Sequence, residues 1–197
     1  MSMKEDVENM NARGMVNAIA QLGLERDELG RTYGTANIGG YNIPYEPKEL
    51  AGMITMLRSF APKRYLAIEG ASHGGAEYIA LSVDIPSLAT TSPKDSEADT
   101  RRMLKGTKDG GTYDLISIDP RGLPLSANEI WRYVTGWKDP VSAFGKGAAR
   151  DYGQKKTKPG TIVIFNLADA ETKELYFKVR TLDNKLHQST YAGMVRL

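Results

Sequence analysis

Short apolar runs alternate with helical stripes after Pro62, which predicts an α/β fold with a mostly parallel sheet covered by helices on both faces. Three runs, Tyr65–Ile68, Thr112–Asp119 and Thr161–Phe165, are apolar on nearly consecutive residues, as strands buried on both faces must be. They end in or lead to Glu69, Asp119 and Asn166, which would converge at the carboxyl ends of the strands, where such sheets hold ligands.

In chain order, Val7, Met10, Val16, Ile19 and Leu22 recur at roughly helical spacing between Lys4 and Leu29, predicting one or two amphipathic helices weakened by Gly14 and Gly23. Gly30–Tyr45 has no helical period and reads as a loop. Residues 1–45 thus form an N-terminal helical extension and loop, which packs on the body or on a neighbouring subunit and leaves a homo-oligomer open. Pro47 then sits near the first turn of a helix with Leu50, Met53, Ile54 and Leu57 on one face, stopped by Ala61-Pro62. After the first strand, either Ser87–Thr91 or Leu81–Ile85 is the second. Asp95–Lys105 is a helix. Ser126–Trp137 is another, with Ile130, Val134 and Trp137 on one stripe. Ala170–Leu182 turns Leu175, Val179 and Leu182 inward, and Thr190–Leu197 closes the sheet.

A chain of 197 residues, 41% hydrophobic, buries one substantial core, so residues 1–197 are expected to be a single domain. The formal charge of +2 is too small to imply nucleic acid or an anionic membrane as partner. With no cysteine, disulfides, thiolate metal sites and cysteine nucleophiles are excluded. The first residues are too acidic and polar for a signal peptide, and no apolar run approaches membrane-spanning length. The expectation is a soluble cytoplasmic protein.

Glu69-Gly-Ala-Ser-His-Gly-Gly75 follows the first strand directly. Glycines there let backbone N–H groups approach a ligand without an intervening Cβ. The same residues also read as a β-hairpin joining Tyr65–Gly70 to Glu77–Asp84. His73 could contact a ligand or orient a substrate hydroxyl as a general base, or simply pack in the loop. Asp119 could orient a substrate or act as a base, or cap the turn that follows it.

Four blocks in order, Ile43-Pro-Tyr-Glu-Pro-Lys-Glu-Leu50 with its helix, Pro62–Gly75, Tyr113–Asp119 and Lys158–Asn166, resemble the class I S-adenosylmethionine-dependent methyltransferases, particularly small-molecule O-methyltransferase-like members. The resemblance implies a Rossmann-like fold, S-adenosylmethionine as cofactor and an acceptor of unassigned identity. It also implies cofactor contacts at Glu69, Gly70, Ser72, His73, Gly74 and Asp84, and a reaction site bordered by Asp119. The chain departs from the family pattern at those contacts. Its acid directly precedes the first glycine, as Ile68-Glu69-Gly70; Asp84 follows Gly75 by only nine positions; and Pro120-Arg121-Gly122 stands where metal-dependent relatives place further ligands. No metal site is predicted. The departures keep a second reading open, a catalytically inactive member of the fold serving as a structural, assembly or binding module.

Lys138–Lys158 concentrates basic residues among glycines with Tyr152. It reads as a solvated insertion or a lid, and, lacking a nucleic-acid motif, it is not expected to bind DNA or RNA. Trp131, Tyr133 and Trp137 read as core or interface aromatics.

Overall fold

The computed structural model describes residues 36–38, 41–43, 45, 47–70, 74–91, 96–106, 111–137 and 151–197. The N-terminal helices expected within residues 4–29, Ser72, His73 and residues 138–150 lie outside the described residues.

The elements are β1 (Ala36–Ile38), β2 (Tyr41–Ile43), α1 (Pro47–Phe60), β3 (Arg64–Glu69), α2 (Gly74–Val83), β4 (Ser87–Thr90) and α3 (Glu97–Lys105). They continue with β5 (Leu115–Asp119), α4 (Ala127–Thr135), β6 (Ile162–Asn166), α5 (Ala170–Val179), β7 (Lys185–Gln188) and β8 (Ala192–Arg196). A six-stranded sheet runs in the order β4-β3-β5-β6-β8-β7. The first four strands of that order are parallel, and β8 is antiparallel to both β6 and β7. The expected α/β architecture with a mostly parallel sheet is present.

The side-chain period of two along each strand divides the core into two layers. Tyr65, Ala67, Leu115, Ile162 and Ile164 face α1 and α2, against Leu50, Met53, Ile54 and Leu57 of the first helix. Leu66, Ile68, Ile116, Ile118, Val163 and Phe165 face the other way, onto Leu104 of α3, Ile130 and Val134 of α4, and Leu175 and Tyr176 of α5. Helices on both faces are what the continuous apolar strands require.

The hairpin alternative is overturned. Residues 74–83 are helical, with Ala76, Ile79, Ala80 and Val83 buried at helical spacing, and β3 pairs in parallel with β4 and β5. The second strand is therefore Ser87–Thr90, reached through a ten-residue crossover helix. Part of the expected loop before Tyr45 is instead an antiparallel pair, with Ala36 opposite Ile43 and Ile38 opposite Tyr41. A Gly-Gly dipeptide between two short runs is the hairpin signal that carries this pairing.

Two helices stop earlier than their patterns predict. α5 ends at Val179 because Thr181 and Asn184 exchange side-chain-to-backbone hydrogen bonds, of 2.7 and 3.2 Å, that close a turn. Leu182, expected inside, is 98% exposed as a result. α4 ends at Thr135, with Gly136 at φ 66°, which takes Trp137 off the buried stripe. No helix among the described residues is long and apolar enough to cross a membrane.

Candidate functional site

β3 leads to β4 on one side, and α3 then carries the chain back across to β5 on the other. The carboxyl ends of β3 and β5 therefore flank the point at which the winding direction changes, where open parallel sheets form a crevice. Register places Glu69 beside Asp119 at that point. Asn166 ends the next strand, β6. The convergence of these three residues, expected from the sequence, is what the structure brings about.

Glu69 is buried, with 1% of its surface exposed. Tyr65 donates its hydroxyl hydrogen to Ser117 Oγ at 2.9 Å, and Ser117 donates to Glu69 Oε1 at 2.7 Å. The other carboxyl oxygen, Oε2, has no hydrogen-bond partner among the described residues, and neither has the buried hydroxyl of Tyr45. Burial pushes the Glu69 carboxyl up to about 8; the hydrogen bond from Ser117 opposes this, the charge of Asp119 adds to it, and Arg121 opposes it. Burial, followed by the nearby charge of Glu69, also raises the Tyr45 hydroxyl well above its ordinary range. Glu69 Oε2 and the Tyr45 hydroxyl are thus two buried polar atoms without hydrogen-bond partners among the described residues, near enough to influence each other electrostatically and both within reach of the Arg121 charge.

Asp119 is different. Its Oδ1 accepts from Arg121 Nε at 2.8 Å and from the Arg121 backbone N–H at 3.3 Å, and its Oδ2 accepts from Arg121 Nη2 at 2.7 Å and Asn166 Nδ2 at 3.0 Å. A carboxylate offers about four lone-pair positions. All four are engaged, so Asp119 cannot take a proton from a substrate without dismantling this arrangement. The geometry matches the alternative expectation of a turn cap, with Asp119 also holding Arg121 and Asn166 at the strand ends.

Gly70 also changes meaning. A Cβ built on it would lie 2.5 Å from Arg121 O and from Leu123 N, and its N–H donates to Asp119 O at 3.1 Å. The space that its missing side chain leaves is filled by the turn after β5. Gly74 opens α2, directed at the same end of the sheet. Asp84, expected as a cofactor contact, instead follows α2 at φ 62° and precedes β4. That places it at the amino ends of the strands, away from Glu69, because the crossover helix is short and the acid falls before the strand. Thr91 directly follows β4 at the carboxyl end: its Oγ1 accepts from Glu69 N–H at 3.0 Å and donates to Glu69 O at 2.8 Å.

The sequence reading missed Tyr45, Ser117 and Arg121. Ser117 was legible as a hydroxyl two residues before Asp119 in an apolar run, hence on the same face of the strand. Arg121 was legible as a cation two residues after a strand-end acid. Nothing local marked Tyr45, which reaches the site only through tertiary packing.

No protein-family model matches the chain, and no curated protein matches it in sequence. Among the described residues, no three His, Cys, Asp or Glu side chains gather as metal ligands.

The described part of the basic segment is not simply a solvated insertion. Lys156 is buried, with its Nζ donating to Tyr133 O at 3.2 Å near the end of α4, and burial lowers it to about 8. Tyr152 is buried against Tyr133 with ring centroids 4.9 Å apart. Lys158 pairs with Asp114 at 2.5 Å, while Lys155 is exposed.

Proposed function

We propose that this chain is a Rossmann-like, S-adenosylmethionine-dependent methyltransferase-like protein whose cofactor site lies at the carboxyl ends of β3 and β5. The observation that carries the proposal is the Oε2 of Glu69, buried at the winding switch and without a partner among the described residues. A buried carboxyl is costly to ionise alone and recovers that cost when a cation arrives. S-adenosylmethionine carries an ammonium and a sulfonium, so its charge suits this recess. In this reading Glu69 holds the ammonium, with Tyr45 alongside, and the first N–H groups of α2 at Gly74 face the ligand. Gly70 gives the ligand no extra space.

The cofactor supplies an electrophilic methyl group. The chain's part is to hold the two reactants in line, exclude water and accept the acceptor's proton. Asp119 contributes rigidity, and His73, one residue before Gly74 in the sequence, is assigned to orient or deprotonate the acceptor.

A second reading, a non-enzymatic binding or assembly module on the same fold, draws support from the saturated Asp119 and from the turn that covers Gly70. Calorimetric titration with S-adenosylmethionine and S-adenosylhomocysteine separates the two. The expected outcome is saturable heat for the native protein, with affinity about tenfold weaker in Glu69→Gln. Absence of binding at about millimolar ligand, with the protein folded by circular dichroism, would replace the enzyme with the module.

A further inference from the structure

The opposite end of the sheet holds a second cleft, of about 250 Å³, bounded by the link from α1 to β3, the link into β6 and the last residue of β8. Its lining side chains bring the charges of Lys63, Lys158 and Arg196 against the carboxylate of Asp114. That carboxylate is already committed. Asp114 Oδ2 accepts the backbone N–H groups of Lys63 and Arg64, both at 2.9 Å, and Oδ1 takes the ammonium of Lys158. Burial pushes the Asp114 carboxyl up, but Lys158 and those N–H groups outweigh it and hold it below its ordinary range.

Two cations remain without a carboxylate among the described residues, the Lys63 ammonium and the Arg196 guanidinium. Arg196 is held in place, its guanidinium carbon 5.0 Å from the centre of the Phe60 ring. Stacking fixes the plane of the guanidinium while leaving its edge free to donate in parallel to two oxygens. Gly160, at φ 90°, takes a backbone conformation that favours glycine, and a Cβ there would stand in ordinary contact with Arg196, 3.6 Å from Nη2. The N–H of Gly160 is taken by Leu197 O and adds no donor. Phe60, Pro62 and Ile162 supply an apolar wall.

We propose that this cleft binds a small phosphate-bearing molecule, with Arg196 and Lys63 gripping the phosphate oxygens and the apolar wall receiving the uncharged part. A bounded recess with a planar fork and one mobile ammonium fits a compact dianion; a polymer would need cations spread along a track. The site is at the far end of the strands from Glu69, so it stands or falls independently of the cofactor proposal.

The test is a chemical-shift titration of the full chain with inorganic pyrophosphate, repeated with Arg196→Gln, Lys63→Gln and Glu69→Gln. The expected result is saturable shifts at the amides of Lys63, Gly160 and Arg196, with affinity falling about tenfold in each of the first two variants and unchanged in Glu69→Gln. Both substituted cations are exposed, and an unchanged spectrum away from the cleft confirms that each variant folds. No saturable shift by about 10 mM pyrophosphate overturns the proposal. So does tighter binding of a single-stranded oligonucleotide with steep salt dependence, which would make this face a nucleic-acid surface.

Discussion

Glu69 is the residue on which the proposed chemistry turns, because one of its carboxyl oxygens is satisfied by Ser117 and the other is buried without a partner among the described residues. Its folded-state value of about 8 lies above the 4.5 of a free side chain, so the native state binds a proton that the unfolded chain has already released. That contribution to stability is fully present below about pH 4.5 and is lost as the pH rises through 8. Comparing urea midpoints of the native protein and Glu69→Gln from pH 4 to 9 should show the native protein losing stability relative to the variant across that window. Parallel curves would mean that Glu69 is ionised in the fold. The same reasoning predicts that binding a cationic ligand at pH 7 releases a proton, readable as a calorimetric enthalpy that changes with the ionisation enthalpy of the buffer.

The elements around the site are held by local devices of ordinary strength. Ser96, Ser126 and Asp169 cap α3, α4 and α5 by accepting the N–H three residues on. Ser126→Ala should lower stability by about 1 kcal/mol with an unchanged denaturant slope. Gly70→Ala should cost more, about 1–3 kcal/mol, because the added methyl meets backbone of the 121–123 turn, which no side-chain rotation can relieve. Gly193→Ala on β8 makes an instructive comparison: its Cβ would come 2.5 Å from the Tyr176 ring, again in a fully buried place. If Gly70→Ala proved as mild as the cap variant, the turn after β5 would be looser than described. Between α3 and α4, Arg101 bridges Glu97 and Glu129, tying two neighbouring helices on one face of the sheet.

At the scale of the molecule, the sheet separates two apolar layers that share no side chains. Met53 on α1 is fully buried in one layer and Ile130 on α4 in the other. Truncation of each to alanine should cost about 2–5 kcal/mol. Since the sheet lies between them, the costs should add within about 0.5 kcal/mol in the double variant, measured by urea unfolding. A strongly non-additive result would show that the two layers repack together. The same layering explains the two proposed sites: the parallel strands present their carboxyl ends at Glu69 and their amino ends at the Lys63 cleft.

The fold class was legible because β3, β5 and β6 are apolar on both faces, a pattern that only a covered parallel sheet satisfies. The helix faces and the strand-end positions of Glu69, Asp119 and Asn166 follow from the same periodicities. What no local pattern carried is who meets whom. β7, with its polar Lys185-Leu-His-Gln188, is a strand only because β8 pairs with it. Asp119 reads in sequence as a base, a substrate-orienting group or a turn cap; Arg121, two residues on, supplies three of its hydrogen bonds, and only the fourth, from Asn166 of β6, needs tertiary contact. Gly70 reads as room for a ligand, yet the turn after β5 occupies that room. Residue type and spacing determine which groups arrive at one end of the sheet; hydrogen-bond saturation and burial depend on distances between segments far apart in the chain. Burial among distant segments left the acid of β3 with an oxygen to offer, while the neighbouring Arg121 and the more distant Asn166 together filled that of β5.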